Sequence, residues 1–383
     1  MTAKNFTPGL WVQDKSKAPD LTTALAPGFR GVLLQMPWAS VEPQQGRYNF
    51  DNVRSLLEWG KANGRQVALM LFDRDFNTPA GQSKIVPKWV ASEPFNKKIS
   101  NAGCVAKLWT PAVNDARIAL LKALAAEFGD SPYLEAIALQ ETALGGINST
   151  DQPDYSHEKY CTEIVRLIYA VAPDMKRVQL WQAINWLGPF DGPYLDRIAQ
   201  AIFHTRAGGL TNPDSVPWEA DQKPMYGVMR RWSDKLPIAF GGDPSQLDKP
   251  GDKYATFADL VRMQYEFATS HGAHYVMLNA NGFHSKALSG VVPSREYGAA
   301  IKAFVRGATM TVQRPSTLVG EDEPEQPTDT TTAAQLAALQ AAFDALRNDV
   351  QATASQLART TAVLEAVQTE WQAFRNDLRE LVN

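Results

Sequence analysis

The residues best equipped for chemistry in this 383-residue sequence stand just after short apolar runs. Glu141 follows Gln140 at the end of one run, Asp73 ends a second, and Asn185-Trp186 ends a third. Asp214, Asp243 and Asn279 follow three more, with His284 five residues beyond the last of them. Trp38 and Glu42 share the segment after a further run, and Trp109 closes a long insertion behind Asp73. Paired carboxylates are what acid–base cleavage of a glycosidic acetal needs: one protonates the leaving oxygen, while the other attacks or activates water. Aromatic rings cover the apolar face of a pyranose, and amides and carboxylates bind its hydroxyls. Any single acid here is explained as well by a helix cap or an arginine partner. Their recurrence, run after run, is what points to a sugar site.

Such residues act together only if the elements carrying them converge. Up to about residue 310, β-like runs alternate with longer amphipathic stretches, the pattern of βα units around a parallel sheet. The strand candidates are Gly9–Gln13, Gly31–Met36, Gln66–Phe72, Glu135–Gln140, Arg177–Ala183, a run around Gly208–Thr211, Leu236–Phe240 and His274–Leu278. Several are continuously apolar, as expected of strands buried on both faces. Helical spacing covers Asp51–Asn63, which opens on an expected Asp51 N-cap and stops at Gly64, then Asn114–Phe128, His157–Val171, Tyr194–His204, Thr256–Ser270 and Ser294–Arg306. Eight strands in this length predict an α/β fold of the (β/α)8 TIM-barrel type over residues 1–312, where chemistry gathers at the C-terminal strand ends. A doubly wound open sheet is the alternative, but no Gly-rich phosphate turn follows the first strand.

The segment Trp38-x-x-Val-Glu42-Pro-x-x-Gly46-x-Tyr48-x-Phe50-Asp51 resembles the one after strand two in the retaining (β/α)8 glycoside hydrolases of clan A, which include β-galactosidases, xylanases and cellulases. The resemblance runs over roughly residues 6–307 as strand order and spacing. It implies that Glu141, at the end of strand four, is the acid/base. Gln140 stands where the family has an Asn that binds the sugar 2-hydroxyl. The family's nucleophile, a Glu ending strand seven, has no counterpart here, and Asp243 is the nearest carboxylate. Three readings stay open: Asp243 as nucleophile or base, another acid (Asp214, Asp73 or Glu42) in that role, or a barrel that only binds glycans. The last would make the chain a carbohydrate-binding adhesion or receptor-binding protein on an oligomeric stalk.

Of the remaining candidates, Trp38, Trp109 and Trp186 are expected to line the cleft, and Trp59 and Trp89 to lie in the core. Glu42 either orders its loop by accepting backbone N–H groups or reacts. His284 either donates to a substrate oxygen or is structural. The insertion Asn77–Trp109 is long enough to act as a binding loop. Asp73, Gln140, Asn185, Asp214 and Asn279 complete the expected substrate contacts.

After Val312 the composition changes. Residues 313–332, with Glu321-Asp-Glu-Pro-Glu-Gln-Pro at their centre, are too polar to bury a core and predict a flexible acidic linker. Residues 333–383 repeat apolar side chains with 3–4 spacing, Leu336, Phe343, Val350, Leu357, Leu364, Trp371 and Leu378 in one series and Leu339 through Leu381 in the other, with Thr353 and Thr360 in its middle. Seven heptads predict a coiled coil, and its bulky Trp371 and Phe374 suit a homo-trimer better than a dimer. Packing of one long helix against the barrel is the competing arrangement.

A net charge of -3 without a basic cluster argues against a nucleic-acid partner. No run approaches the roughly 18 apolar residues of a membrane span. Cys104 and Cys161, the only cysteines, are expected reduced in the core, and His271/His274 lack a third ligand, so neither a metal nor an organic cofactor is implied. The opening residues lack the apolar core of a signal peptide, which leaves a cytoplasmic protein or one released or assembled by another route, as in a phage particle.

Overall fold

The computed structural model describes residues 3–14, 21–75, 78–79, 81–92, 103–144, 147, 152–188, 191–215, 224–242, 257–279, 284–285, 290–291, 294–307, 310 and 312–318. The chain divides into two compact units, Met1–Gly320 and Glu321–Asn383. The heptad series of 333–383 falls outside the described residues.

The first unit is a closed barrel of eight parallel strands: β1 (Gly9–Asp14), β2 (Phe29–Pro37), β3 (Gln66–Phe72), β4 (Leu134–Leu139), β5 (Gln179–Ala183), β6 (Gly208–Ser215), β7 (Ile238–Gly242) and β8 (Tyr275–Asn279). Each pairs with its sequence neighbours, and β8 closes on β1 through Gly9↔Tyr275 to Gln13↔Asn279. A one-turn α1 (Trp38–Val41) is followed by α2 (Asp51–Asn63), α3 (Pro111–Phe128), α4 (His157–Val171), α5 (Asp191–Thr205), α6 (Pro224–Trp232), α7 (Phe257–Ser270) and α8 (Ser294–Gly307).

Local chemistry explains the boundaries. Helix α4 starts at Ser156, whose hydroxyl accepts from the Lys159 N–H, satisfying an orphan donor of the first turn. Helix α2 buries Val53, Leu57 and Gly60 at helical spacing and ends on Gly64, whose φ of 60° suits glycine. Asp51, expected as the cap, is instead the first helical residue. Its N–H donates to Asn49 Oδ1 at 3.0 Å and its carboxylate pairs with Arg54 at 2.6 Å. Helix α6 was not apparent from spacing: nine residues holding Gly227 and two arginines give a weak pattern, although Pro224 suits a first turn. The insertion after β3 contains a small antiparallel sheet of Arg74–Asp75, Cys104–Ala106 and Ala91–Ser92. Cys104 and Cys161 are both buried.

Alternation along the strands sorts the core into two parts. Outward residues such as Val12, Leu34, Leu69, Ile137 and Leu180 pack with the helices. Inward, Trp11, Trp181 and Tyr275 meet with ring centroids 4.8–6.5 Å apart, and Ala68, Ala136, Ala138 and Ala239 leave room for them.

The base of the barrel is sealed by polar groups. The pairing steps from Val67↔Leu134 to Ala68↔Ala136, so Glu135 is the extra residue of a bulge. Its Oε1 accepts from the Tyr275 hydroxyl at 2.6 Å and the Thr7 N–H at 2.7 Å. Burial pushes the Glu135 carboxyl up, and burial beside Glu135 raises the Tyr275 hydroxyl well above its usual range. Asn5 donates to the carbonyls of Ser131 and Leu134. Lys4 donates to those of Met175 and Val178, with its ammonium lowered to about 8 by burial. From the other end of the unit, Ser316 and Thr317 bond the carbonyls of Asp234 and Lys235, and Thr317 and Leu318 are buried. Residues 313–318, read as the start of the linker, therefore pack on the barrel.

His274 joins this base. Its Nδ1 accepts from the Ile238 N–H at 3.0 Å, and its ring bonds the Gln313 backbone. Burial lowers its pKa from 6.5 to about 4. A depressed histidine stabilises the fold fully above the unfolded value and less as pH falls from 6.5 towards 4, an effect of about 3 kcal/mol at most. We predict that the melting temperature drops across this window and that His274→Asn flattens the drop. An equally steep decline in the variant would show that other groups cause it.

Candidate active site

The interior changes character at the C-terminal ends of the strands. Above the apolar layer, alternation brings Gln13, Gln35, Phe72, Gln140, Thr211 and Asn279 inward from β1, β2, β3, β6, β8 and the end of β4. Gln13 follows Trp11, Gln35 follows Leu33, and Asn279 follows Met277 at the same two-residue step. Gly241 of β7 occupies the corresponding inward position and leaves space. A row dominated by uncharged amides thus floors the mouth.

Glu141 stands two residues beyond β4 and is buried. Its Oε2 accepts from Asn185 Nδ2 at 2.7 Å, and the Asn185 N–H donates to Thr142 Oγ1 at 2.9 Å. The ends of β4 and β5 are thereby fastened together with the carboxyl held between them. Asn185 Oδ1 is buried and has no partner among the described residues. Trp186, next along the chain, is 47% exposed, as a ring offered to a ligand would be.

Gln140 departs from a simple ligand-binding role. Its Oε1 accepts from the Asp73 N–H at 3.1 Å and its backbone carbonyl accepts from Gln182 Nε2 at 2.9 Å, so the side-chain amide ties the end of β4 to β3 while the backbone is held to β5.

Four other expected contacts have structural surroundings. Asp73 is fully buried between two guanidiniums, with Oδ1 3.0 Å from Arg74 Nε and Oδ2 2.7 Å from Arg117 Nη2. Burial opposes the Arg74 charge, but Asp73, with Tyr160 and Glu141, holds its pKa above the usual arginine range; burial lowers that of Arg117. Arg74 also donates to the Ala143 carbonyl in the loop that follows Glu141. Asp73 therefore anchors a buried ion cluster. Trp38 is a core residue, its ring edge-on to Trp89 and its Nε1 donating to Glu42 Oε2 at 2.6 Å. Glu42 Oε1 accepts the Gly46 N–H at 2.8 Å, so Glu42 orders the loop. Trp109 is also in the core, edge-on to Tyr155 at 5.2 Å. Trp59 and Trp89 pack partly buried against that core.

Asp243 lies outside the described residues. Asp214 lies on β6 and His284 on a two-residue strand paired with Gly290–Val291; their side chains are also outside what is described. Among the described residues no group of three His, Cys, Asp or Glu side chains is placed to hold a metal, and no helix is long and apolar enough to cross a membrane. Sequence reasoning missed Gln13, Gln35 and Thr211, although the two-residue step from Trp11 and Leu33 was available as a signal. It also missed Arg74, Arg117 and Tyr160, which meet only in three dimensions.

No protein-family model and no curated protein sequence matches the chain. Among solved structures it is similar to a β-galactosidase from Rahnella sp. R3, at 13% identity over 79% of this chain and 57% of that one, with a TM-score of 0.50. A β-amylase catalytic domain from Paenibacillus polymyxa (12%, 81% and 100%, TM-score 0.49) and endo-glycoceramidase II from Rhodococcus sp. (15%, 78% and 81%, TM-score 0.48) are also found. The closed parallel barrel, with the likeness to the β-galactosidase structure, gives the chain a (β/α)8-barrel fold.

Proposed function

We propose that the chain is a glycoside hydrolase acting on a poly- or oligosaccharide, with Glu141 as its general acid/base. The observation that carries this reading is the Glu141–Asn185 hydrogen bond at the amide-floored mouth of the barrel. It sets a buried carboxyl, oriented by an amide, where a ligand entering along the barrel axis arrives. An acid so placed can give its proton to a glycosidic oxygen, and the exposed Trp186 ring can stack on an adjoining sugar. The glycosidase neighbours agree with a carbohydrate substrate.

The opposing carboxylate is assigned to Asp243 or Asp214. Asp73 and Glu42 are poor choices because arginines, an indole and a backbone N–H already occupy their oxygens. The heptads of 333–383 support assembly of a homo-oligomer, with a trimer as the form their bulky residues suit. Linked copies would gain avidity for a polymer without new contacts.

A hydrolysis screen across polysaccharides and aryl glycosides tests the assignment. Glu141→Gln should lower kcat on the hydrolysed substrate on the order of 10²–10⁴-fold while the fold and sugar binding persist; unchanged turnover would remove Glu141 from the role. Asp73→Asn should act differently, costing about 3–5 kcal/mol of stability because it strands two buried guanidiniums. A denaturant titration checks this, and a variant as stable as the parent would contradict the structural role. Trp186→Ala should raise KM with little change in the melting temperature, and an unaltered KM would take Trp186 out of the binding surface.

A further inference from the structure

Two side chains in the mouth carry polar atoms that nothing in the described protein satisfies. Gln13, on β1, is 1% exposed, yet neither Nε2 nor Oε1 has a hydrogen-bond partner among the described residues. Thr211, on β6, is fully buried and its Oγ1 is likewise unpartnered. Both point inward: Gln13 lies two residues beyond Trp11, and Thr211 is in register with Ala183 and Ala239 on the neighbouring strands. Asn185 Oδ1, beside Glu141, is a fourth buried atom without a partner among the described residues, on the same side of the apolar layer.

Buried amides and hydroxyls without partners cost stability, whereas apolar side chains of the same shape do not. The remaining interior shows that the chain does satisfy such groups elsewhere: the Trp11 and Trp181 indoles, Gln179 and Tyr275 all have partners at the base. Unsatisfied buried atoms also occur elsewhere, as at Glu135 Oε2, Gln66 Oε1 and the Trp89 and Trp109 indoles, but those of Gln13 and Thr211 face the axis at the mouth, where a ligand would supply the missing bonds. A carboxamide presents a donor and an acceptor side by side, matching two neighbouring hydroxyls of a ring. A threonine hydroxyl can serve a third. Neither residue is charged, so the pair suits a neutral polyhydroxylated ligand rather than an ion.

We propose that Gln13 and Thr211 are substrate-binding residues that recognise ring hydroxyls of the saccharide in the barrel mouth, and that they determine which sugar is accepted there. This rests on the glycosidase reading above. It adds two residues that neither the resemblance nor the strand-end pattern had singled out.

The test uses the full chain, Gln13→Met and Thr211→Val, both close in shape to the originals, and a panel of 4-nitrophenyl glycosides with their monodeoxy analogues. On the glycoside that the parent hydrolyses, each variant should lose on the order of 10–100-fold in kcat/KM. That loss should vanish for the one analogue lacking the hydroxyl concerned, while melting temperatures without ligand stay at or above the parent's. A loss that is the same on every deoxy analogue, no loss at all, or a melting temperature lower by more than about 3 °C would overturn the proposal. A parent that neither binds nor hydrolyses any glycoside removes the glycosidase reading and this assignment together. An active parent with indifferent variants removes this assignment alone.

Discussion

Closure of eight parallel strands forces every second side chain toward a shared axis, and the rest of the barrel unit follows from how that narrow space is filled. Three large rings, Trp11, Trp181 and Tyr275, take its centre. They fit because Ala68, Ala136, Ala138 and Ala239 stand opposite, since close packing leaves little tolerance for added volume. Below the rings, the bulge at Glu135 turns one carboxyl inward, where Tyr275, Thr7 and Gln179 surround it. Above them the axis is lined by amides. The same constraint thus yields a sealed base, a packed middle and a polar mouth.

Carboxylates in such a structure are sorted by what their oxygens already bind. Glu42 is spent on an indole and a backbone N–H, Glu135 on a phenol and the N-terminal segment, and Asp73 on two guanidiniums. Glu141 differs because the partner identified for it is a neutral amide whose own oxygen is unpartnered. It is not isolated from the ion cluster, however. Arg74 feels the Glu141 charge and also grips the Ala143 carbonyl in the loop that follows. The cluster under β3 therefore fixes the backbone on which Glu141 stands, so a side chain with no contact to ligand contributes to its geometry.

The barrel was legible because its signals are local. Apolar runs of strand length and helical spacing survive without tertiary information, and β3, α2 and α4 have the bounds that spacing gave. Helix α6 was missed because nine residues with an internal glycine carry little periodicity. The candidate site was legible in part. Glu141 and Asn185 meet at adjoining strand ends, and the Trp186 ring beside them in sequence is half exposed. Trp38 and Trp109, expected in the cleft because they follow strands, pack instead against Trp89 and Tyr155, and Asp73 is enclosed by Arg74 and Arg117, which only the fold brings together. Gln13 and Thr211 were overlooked for the opposite reason: they sit inside strands that read as core, and only the closed barrel reveals that their polar ends face the axis.

On the proposed reading, stability and recognition fall at opposite ends of the same strands, the arrangement expected when loops at one rim can vary without disturbing the other. His274, Glu135 and Lys4 have shifted proton affinities because they are enclosed at the base, and their hydrogen bonds tie the first residues and residues 313–318 to the barrel. Shifted proton affinity alone would have marked this base as the functional end, since such groups gather at active sites. Satisfaction of hydrogen bonds separates the two cases. At the base the bonded groups include both indoles, the phenol and the imidazole, with Glu135 Oε2 and Gln66 Oε1 as exceptions. At the mouth, Gln13, Thr211 and Asn185 all retain unmet capacity. A sealed end has no use for such capacity, whereas the proposed binding end, exchanging water for hydroxyls, would require it.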